Sequence, residues 1–367
     1  MRRERLAYID ALRGYAILLV IFTHAAYVAG VSGFARHLAD FGGRGVQLFF
    51  LVSAFTIFLT FEQARGREQR PVENFFIRRL VRIVPVYWLG ILLYSLLFTI
   101  APSPDFPLTP WHFPFHLTLT NSWVPRAASS VVPGGWSISV EVMFYLTMPL
   151  WFALVRSLRG AVVFTLAAML LGGAVAGVGR RLFPHLGEQY WFEMFPSQLA
   201  CFGFGMILFH LVGDRRVCGP LGKPRVNLAL LAASAVLIGL TLLCPLPVVP
   251  PHYVITFAFL LTASALSQIP WRLIVNGGAL FMGRISYSAY LLHFLALAAA
   301  YPLVPEGLRL SARVLALFLT SLALTIPMAW LSYRFVERGF TALGRRWIER
   351  REAAPVDPRG TKAASGL

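Results

Sequence analysis

The chain has 367 residues, of which 57% are hydrophobic, 14% aromatic and only 13% charged, an apolar share far above that of a soluble domain. It reads as an all-α, polytopic membrane bundle. The formal net charge of +17 does not call for a nucleic-acid partner, because the basic residues gather in short segments between apolar runs, as the positive-inside rule requires.

Apolar runs of spanning length lie near residues 11–31, 43–61, 83–101, 136–155, 160–178, 195–212, 226–244, 252–269, 285–301 and 313–333. Ten spans put both termini on one side of the membrane. With that side cytoplasmic, the inner segments collect Arg65 to Arg82, Arg156, Arg159, Arg215, Arg216, Lys223, Arg225, Arg272, Arg284 and the tail from Arg334 to Lys362. Only Arg36, Arg44, Arg126, Arg180, Arg181, Arg309 and Arg313 fall outside. The run at 43–61 begins against Arg44, and 252–269 is short and opens with His252, so these two are the runs on which the topology turns. Cys201, Cys218 and Cys244 show no ligand spacing; they support neither a disulfide framework nor a metal site and read as small buried hydrophobes.

The first run carries Asp10, Arg13 and His24. At about 100° per residue, the step from Arg13 to His24 returns the helix to within about 20° of one face, and Asp10 falls within roughly 60° of Arg13. A rise of about 1.5 Å per residue lifts His24 roughly 16 Å above Arg13, past the middle of a core about 30 Å thick. An imidazole at that depth is costly: it either bonds a neighbouring helix or serves function, and the aligned Arg13 favours function. The polar stripe, the length of the run and the further hydrophobic segments argue against a secretory signal peptide.

Between the second and third runs lies the longest inner basic segment, in which Arg78, Arg79 and Arg82 share a face at the membrane edge. Spacing alone favours orientation and headgroup contact over a site for a phosphorylated cytoplasmic ligand. The outer loop 102–135 holds Trp111, His112, His116, Asn121 and Trp123, residue types that suit either sugar binding or an interfacial aromatic belt. GGWSISVEVMFYLTMPL then sets Ser137, Glu141 and Tyr145 on one helix face. Glu141 needs a partner: Arg13, His24 or a residue of another helix. His185, Glu188, Tyr190 and Trp191 form a second candidate outer rim. Late in the chain MGRISYSAYLLHFLAL places Arg284 at the inner edge and Ser286, Tyr290 and His293 along one face, His293 reading as a hydrogen-bonded packing residue. Arg334 and Glu337 are spaced to pair at the inner boundary. The membrane domain spans 1–340, and 341–367 reads as a basic cytoplasmic tail whose last fifteen or so residues look disordered.

Six of these stretches, YIDALRGYAILLVIFTHA, GVQLFFLVSAFTIFLTF, FFIRRLVRIVPVYW, WSISVEVMFYL, RISYSAYLLHF and SYRFVE, together resemble, in this order, the motifs of the acyltransferase-3 family of integral membrane proteins, bacterial enzymes that move acetyl or other acyl groups onto sugars and related hydroxyl compounds. The resemblance implies a multi-pass protein of the bacterial inner membrane whose donor is cytoplasmic acyl-coenzyme A, acetyl by default, with no permanently bound cofactor and no metal. It implies that Arg13 and His24 match an essential arginine–histidine pair, that Arg79 and Arg82, with Arg78 on their face, match the paired arginines associated with the donor, and that Glu141 matches the acid of a tryptophan–serine–glutamate motif. Gln47, where an acidic residue is frequent, and Ala54, where glycine is usual, depart from the pattern. The fused hydrolase-like domain that some members carry is not expected after the last span.

A neutral alcohol is a poor nucleophile toward a thioester, so a base of moderate pKa is the first requirement, and histidine meets it best at neutral pH. His24 is the expected base toward the hydroxyl of a carbohydrate or glycolipid acceptor, or the carrier of a transient acyl-imidazole. Ser137, Ser139, Tyr145 or Arg13 could donate to the oxyanion, and Ser286, Tyr290 and His293 support the site. Two alternatives stand beside this: a small glycosylated metabolite as acceptor, and a transporter or flippase, since intramembrane His, Arg and Glu also describe proton-coupled carriers.

Overall fold

A computed structural model describes residues 6–102, 108–244 and 249–353; the expected disorder of the last fifteen or so residues falls outside them. Among the described residues every regular element is helical, as a chain without water at its backbone requires. The N-terminal half comprises α1 (Ala7–Ala29), α2 (Gly33–Gly43), α3 (Gly45–Arg65), α4 (Pro71–Ile100), a short α5 (Phe113–Leu117) in the outer loop, and α6 (Gly135–Leu154). It continues through α7 (Leu158–Leu182), α8 (Gly187–Glu193), α9 (Phe195–Gly213), α10 (Arg215–Leu221) and α11 (Pro224–Leu243). The last part is α12 (Pro251–Gln268), α13 (Gly277–Ala300), α14 (Leu310–Ser332) and α15 (Arg338–Ala353).

Nine helical segments among the described residues are long and apolar enough to cross a membrane. The tenth run expected, 252–269, also folds as a helix, α12. It is less apolar because His252, Thr256 and Ser264 are polar, and all three are buried against the rest of the bundle. Leu92, Ile100, Leu170 and Leu243 stand exposed on the perimeter, a distribution suited to a lipid solvent. Cys201 is buried as expected, but Cys244 is exposed at the end of α11, so it is not the core residue anticipated.

Lipid tails are as apolar as leucine, so helices associate by close packing of small residues. A Cβ at Gly14 on α1 would overlap the Ala279 carbonyl oxygen of α13, and one at Gly283 on α13 would overlap the Asp10 carbonyl oxygen of α1. Gly45 brings α3 onto α1 against Ala16 in the same way. Aromatic stacking ties in two further helices: the Phe202 ring of α9 lies 4.6 Å from Phe50 of α3 and 4.2 Å from Phe144 of α6.

At the inner end the tail has a defined helix as far as Ala353, and one expected ion pair is corrected. The helix is docked: Glu352 accepts hydrogen bonds from the Gln69 and Arg70 backbone amides (2.7 and 3.1 Å) and from Asn74 Nδ2 (2.7 Å), and Arg351 pairs with Glu73. A carboxylate at the start of α4 is favoured by the helix dipole. The anticipated Arg334–Glu337 pair does not form, because residues Tyr333–Glu337 make a π-helical turn that shifts the register. Glu337 turns inward instead, 3.7 Å from Arg82 Nε and 3.3 Å from Ser288 Oγ, while Arg334 lies over the Phe335 ring.

Adding bulk at the α1–α13 contact is expected to destabilise the bundle by at least about 2 kcal/mol, the range for overpacking. Gly283→Val should lower the thermal midpoint in detergent, whereas Gly239→Ala, with open space around it, should not; equal midpoints for the two variants would contradict the packing argument.

Candidate active site

Helices α1, α3, α4, α6 and α13 wall a chamber of about 70 Å³. The four-residue spacing on α6 does what its periodicity requires: Ser137, Glu141 and Tyr145 all face the chamber. Arg13 enters from α1, Arg79 and Arg82 from α4, and Ser286 and Tyr290 from α13. Arg13 donates to Asp10 Oδ1 (3.3 Å) and to Thr56 Oγ1 (3.1 Å), so Asp10 stands behind Arg13 and not in the chamber wall. Glu141 finds neither Arg13 nor His24 as its hydrogen-bond partner; it accepts from the Ser53 hydroxyl of α3.

The three neighbouring arginines of α4 have separate fates. Arg78 points away and makes a bidentate pair with Glu68 (2.8 and 3.0 Å). Arg82 shares Glu337 at 3.7 Å. Arg79 lies 5.5 Å over the rings of both Phe75 and Tyr145, and its buried Nε has no hydrogen-bond partner among the described residues. Three guanidinium groups line the chamber beside the carboxylate of Glu141; Asp10 and Glu337, just outside it, offset Arg13 and Arg82, so Arg79, with no carboxylate at salt-bridge distance among the described residues, is the cation best placed to draw an anionic ligand.

His24 does not face this chamber. It opens on a second, wider vestibule of about 540 Å³ toward the other end of α1. Its ring lies 4.3 Å from that of Phe294 and 5.2 Å from that of His293. His293 Nδ1 donates to the Tyr290 carbonyl (2.6 Å), which leaves Nε2 as an acceptor, buried and without a partner among the described residues. The vestibule also holds residues that sequence reasoning passed over. Asp40 accepts from Tyr27 (2.5 Å) and Arg36 (3.2 Å), Gln189 donates to Glu193 (2.5 Å), and Arg44 lies 5.1 Å over the Phe192 ring. The i,i+4 spacing of Arg36 and Asp40 was the available clue to α2. The chamber and the vestibule have two lining residues in common, Val46 and Tyr290.

Other expected residues serve the frame. Ser139 bonds Ser122 (2.8 Å) between α6 and the outer loop. His112, His116 and Asn121 are buried, while Trp111 and Trp123 are exposed. Of the second rim, Glu188 pairs with Arg180 (2.8 Å), Tyr190 donates to the Trp123 carbonyl (3.1 Å), and Trp191 is buried. Gln47, at the position where an acid is frequent in the resembled family, donates to Gln198 (2.9 Å) in a neutral buried pair.

His116 pins the outer loop to α4: its Nδ1 accepts from Tyr87 (2.9 Å) and its Nε2 donates to the Ala127 carbonyl (2.7 Å), an arrangement that needs the neutral ring. Burial pushes its pKa down to about 4. The unfolded loop therefore takes up a proton first, and stability present above pH 6.5 is lost as pH falls toward about 4, by at most about 1.4 kcal/mol per unit. Hydrogen-exchange protection factors across residues 113–131, corrected for the intrinsic pH dependence of exchange, should fall over that window in the wild type and not in His116→Gln.

A family model described as an acyltransferase domain matches residues 6–334. The chain is 27% identical to the acyltransferase MdmB of Streptomyces mycarofaciens, with 94% of each chain covered. It is 25% identical to the putative membrane-bound transacylase BcsY of Komagataeibacter xylinus over 99% of this chain and 88% of that one. Over a shorter stretch, 42% of this chain and 46% of the other, it is 31% identical to the exopolysaccharide production protein ExoZ of Rhizobium meliloti. No solved structure matches.

Proposed function

The chain belongs to the acyltransferase-3 family, and from that premise we propose that it transfers a short acyl group, acetyl in the first instance, from cytoplasmic acyl-coenzyme A to a hydroxyl of a cell-envelope carbohydrate. The observation that supports this reading most is the arrangement of an arginine-lined chamber and a histidine-lined vestibule on either side of one shared wall. The arginine bias of the inner segments supports cytoplasmic termini, with the chamber nearer the donor, and the family supports a place in the bacterial inner membrane. Arg79 and Arg82 hold the donor's phosphates, and its thin pantetheine arm carries the thioester toward the wall.

In the vestibule His24 takes the proton of the acceptor hydroxyl as its oxygen attacks the thioester carbon. Donors near the wall stabilise the resulting oxyanion, with Ser137, bonded to the Tyr290 hydroxyl, the one that reaches that wall. Collapse breaks the carbon–sulfur bond and releases the thiolate, which recovers a proton from the His24 imidazolium. Trp136, Phe192 and Phe294 offer apolar faces and Asp40, Glu193 and Gln189 offer acceptors and a donor, a lining that suits a sugar. The relative whose name is exopolysaccharide production protein supports a polysaccharide acceptor.

Protein purified in detergent with labelled acetyl-coenzyme A and de-esterified envelope glycan should form ester, and mass spectrometry of glycans from cells with and without the intact gene should show the same mass difference. His24→Ala should lower kcat by at least about 100-fold, the scale of a lost general base, with folding and insertion preserved. Arg79→Ala and Arg82→Ala should each raise the donor KM about tenfold or more, as for a lost charge-assisted contact, while Arg78→Ala changes it less than about twofold because it lies outside the chamber. Robust ester formation by His24→Ala removes the base; label left on the protein without acceptor replaces direct transfer with an acyl-imidazole; solute movement only in sealed vesicles, without ester, replaces the enzyme with a carrier.

A further inference from the structure

The wall between the two compartments has a construction of its own. Tyr290 of α13 and Val46 of α3 line both the chamber and the vestibule, so they stand where anything passing from one to the other must go. Tyr290 is held rigidly. Its hydroxyl lies 2.7 Å from Ser137 Oγ and donates to the Gly134 carbonyl at 3.0 Å, and its ring meets Phe49 edge-on at 6.2 Å. Gly134 has φ of +73°, and a Cβ there would come within 3.0 Å of the Tyr290 hydroxyl, so the turn before α6 leaves room for the phenol where it sits. Swinging Tyr290 aside would break both hydroxyl contacts. Val46 faces the same boundary with a β-branched side chain that has little rotamer freedom in a helix.

The space on the two sides is unequal. About 70 Å³ is free in the chamber, against about 540 Å³ in the vestibule. A two-carbon acyl group presented at this wall carries a single methyl beyond its carbonyl carbon. With the donor's arm occupying the chamber, each further methylene must be pushed past a fixed phenol and a stiff valine, and packed interiors yield little to added bulk.

We propose that Tyr290 and Val46 form a gauge that sets the length of the transferred acyl group, accepting acetyl and refusing longer chains. This rests on the acyl-coenzyme A reading above, and it assigns the specificity of that reaction to two residues which take no part in bond making. Trimming the valine enlarges the gap; lengthening it narrows the gap. Removing the Tyr290 hydroxyl frees the ring without changing its size.

The test compares acetyl-, butyryl- and octanoyl-coenzyme A with de-esterified envelope glycan, for the wild type and for Val46→Ala, Val46→Leu and Tyr290→Phe, with thermal midpoints measured on the same samples. The wild type should favour acetyl over butyryl at least tenfold in kcat/KM. Val46→Ala should raise the butyryl-to-acetyl ratio about tenfold, Tyr290→Phe by a smaller factor in the same direction, and Val46→Leu should lower it. The opposed valine variants keep the result decisive if one of them fails to fold. Ratios unmoved in folded variants that retain acetyl transfer would overturn the gauge and leave the reaction standing, as would a wild type that uses all three donors alike. No ester from any donor with the wild type would overturn the reaction itself, and the gauge with it.

Discussion

The backbone contact between the first helix and α13 governs the rest of the molecule. Gly14 faces the Ala279 carbonyl and Gly283 faces that of Asp10, so two helices far apart in the chain touch main chain to main chain. In lipid, where burying leucine against leucine releases no water, such close van der Waals approach is the main source of helix association. The contact sets Arg13 on the same chamber as Ser286 and Tyr290, and His24 beside His293 and Phe294. Of the side chains flanking Gly14, Arg13 is directed to Thr56 of α3 and Tyr15 to the Ile274 carbonyl ahead of α13.

Those side chains include charges that a membrane interior resists. Most are offset locally. Arg13 has Asp10 and Thr56, Arg82 has Glu337, and Glu141 has Ser53. The π-helical turn at 333–337 is what brings Glu337 to Arg82, and the docking of α15 on the start of α4 through Glu352 steadies the helix that carries Arg79 and Arg82. Arg79 is the exception, held by two aromatic faces with a buried Nε left over. An unmet donor beside a cavity costs stability and is available to a ligand.

At the opposite end, the second compartment is assembled from segments distant in sequence: α2, the turn at Gly134, and α8. Its walls mix aromatic faces with paired charges, a lining different in kind from that of the chamber. The outer loop is kept in place by His116 and Asn121, whose ring and amide reach the Ala127 and Ala128 carbonyls. The histidines are thus divided between framing the loop, as His116, and facing open space, as His24.

Much of this was legible locally. Apolar runs of spanning length, the alternation of basic segments, and the common face of Ser137, Glu141 and Tyr145 all follow from hydropathy and a 3.6-residue period, which depend on neighbours within a few turns. The ordered motifs carried the family, to which the family model then assigned residues 6–334. What the chain could not state in advance was which polar group meets which. Arg78 and Arg79 are adjacent, yet one is bound by Glu68 and the other faces the chamber; Glu337 bonds across the bundle to Arg82 and not to its neighbour Arg334; Arg13 and His24 share a helix face yet open on different compartments. Sequence alone determined that the chain is a bundle of membrane helices with an arginine and a histidine inside it. Tertiary structure alone decided their surroundings, because a side chain's periodicity fixes its direction around one helix axis, while its partner depends on how closely, and at what height, another helix is allowed to approach.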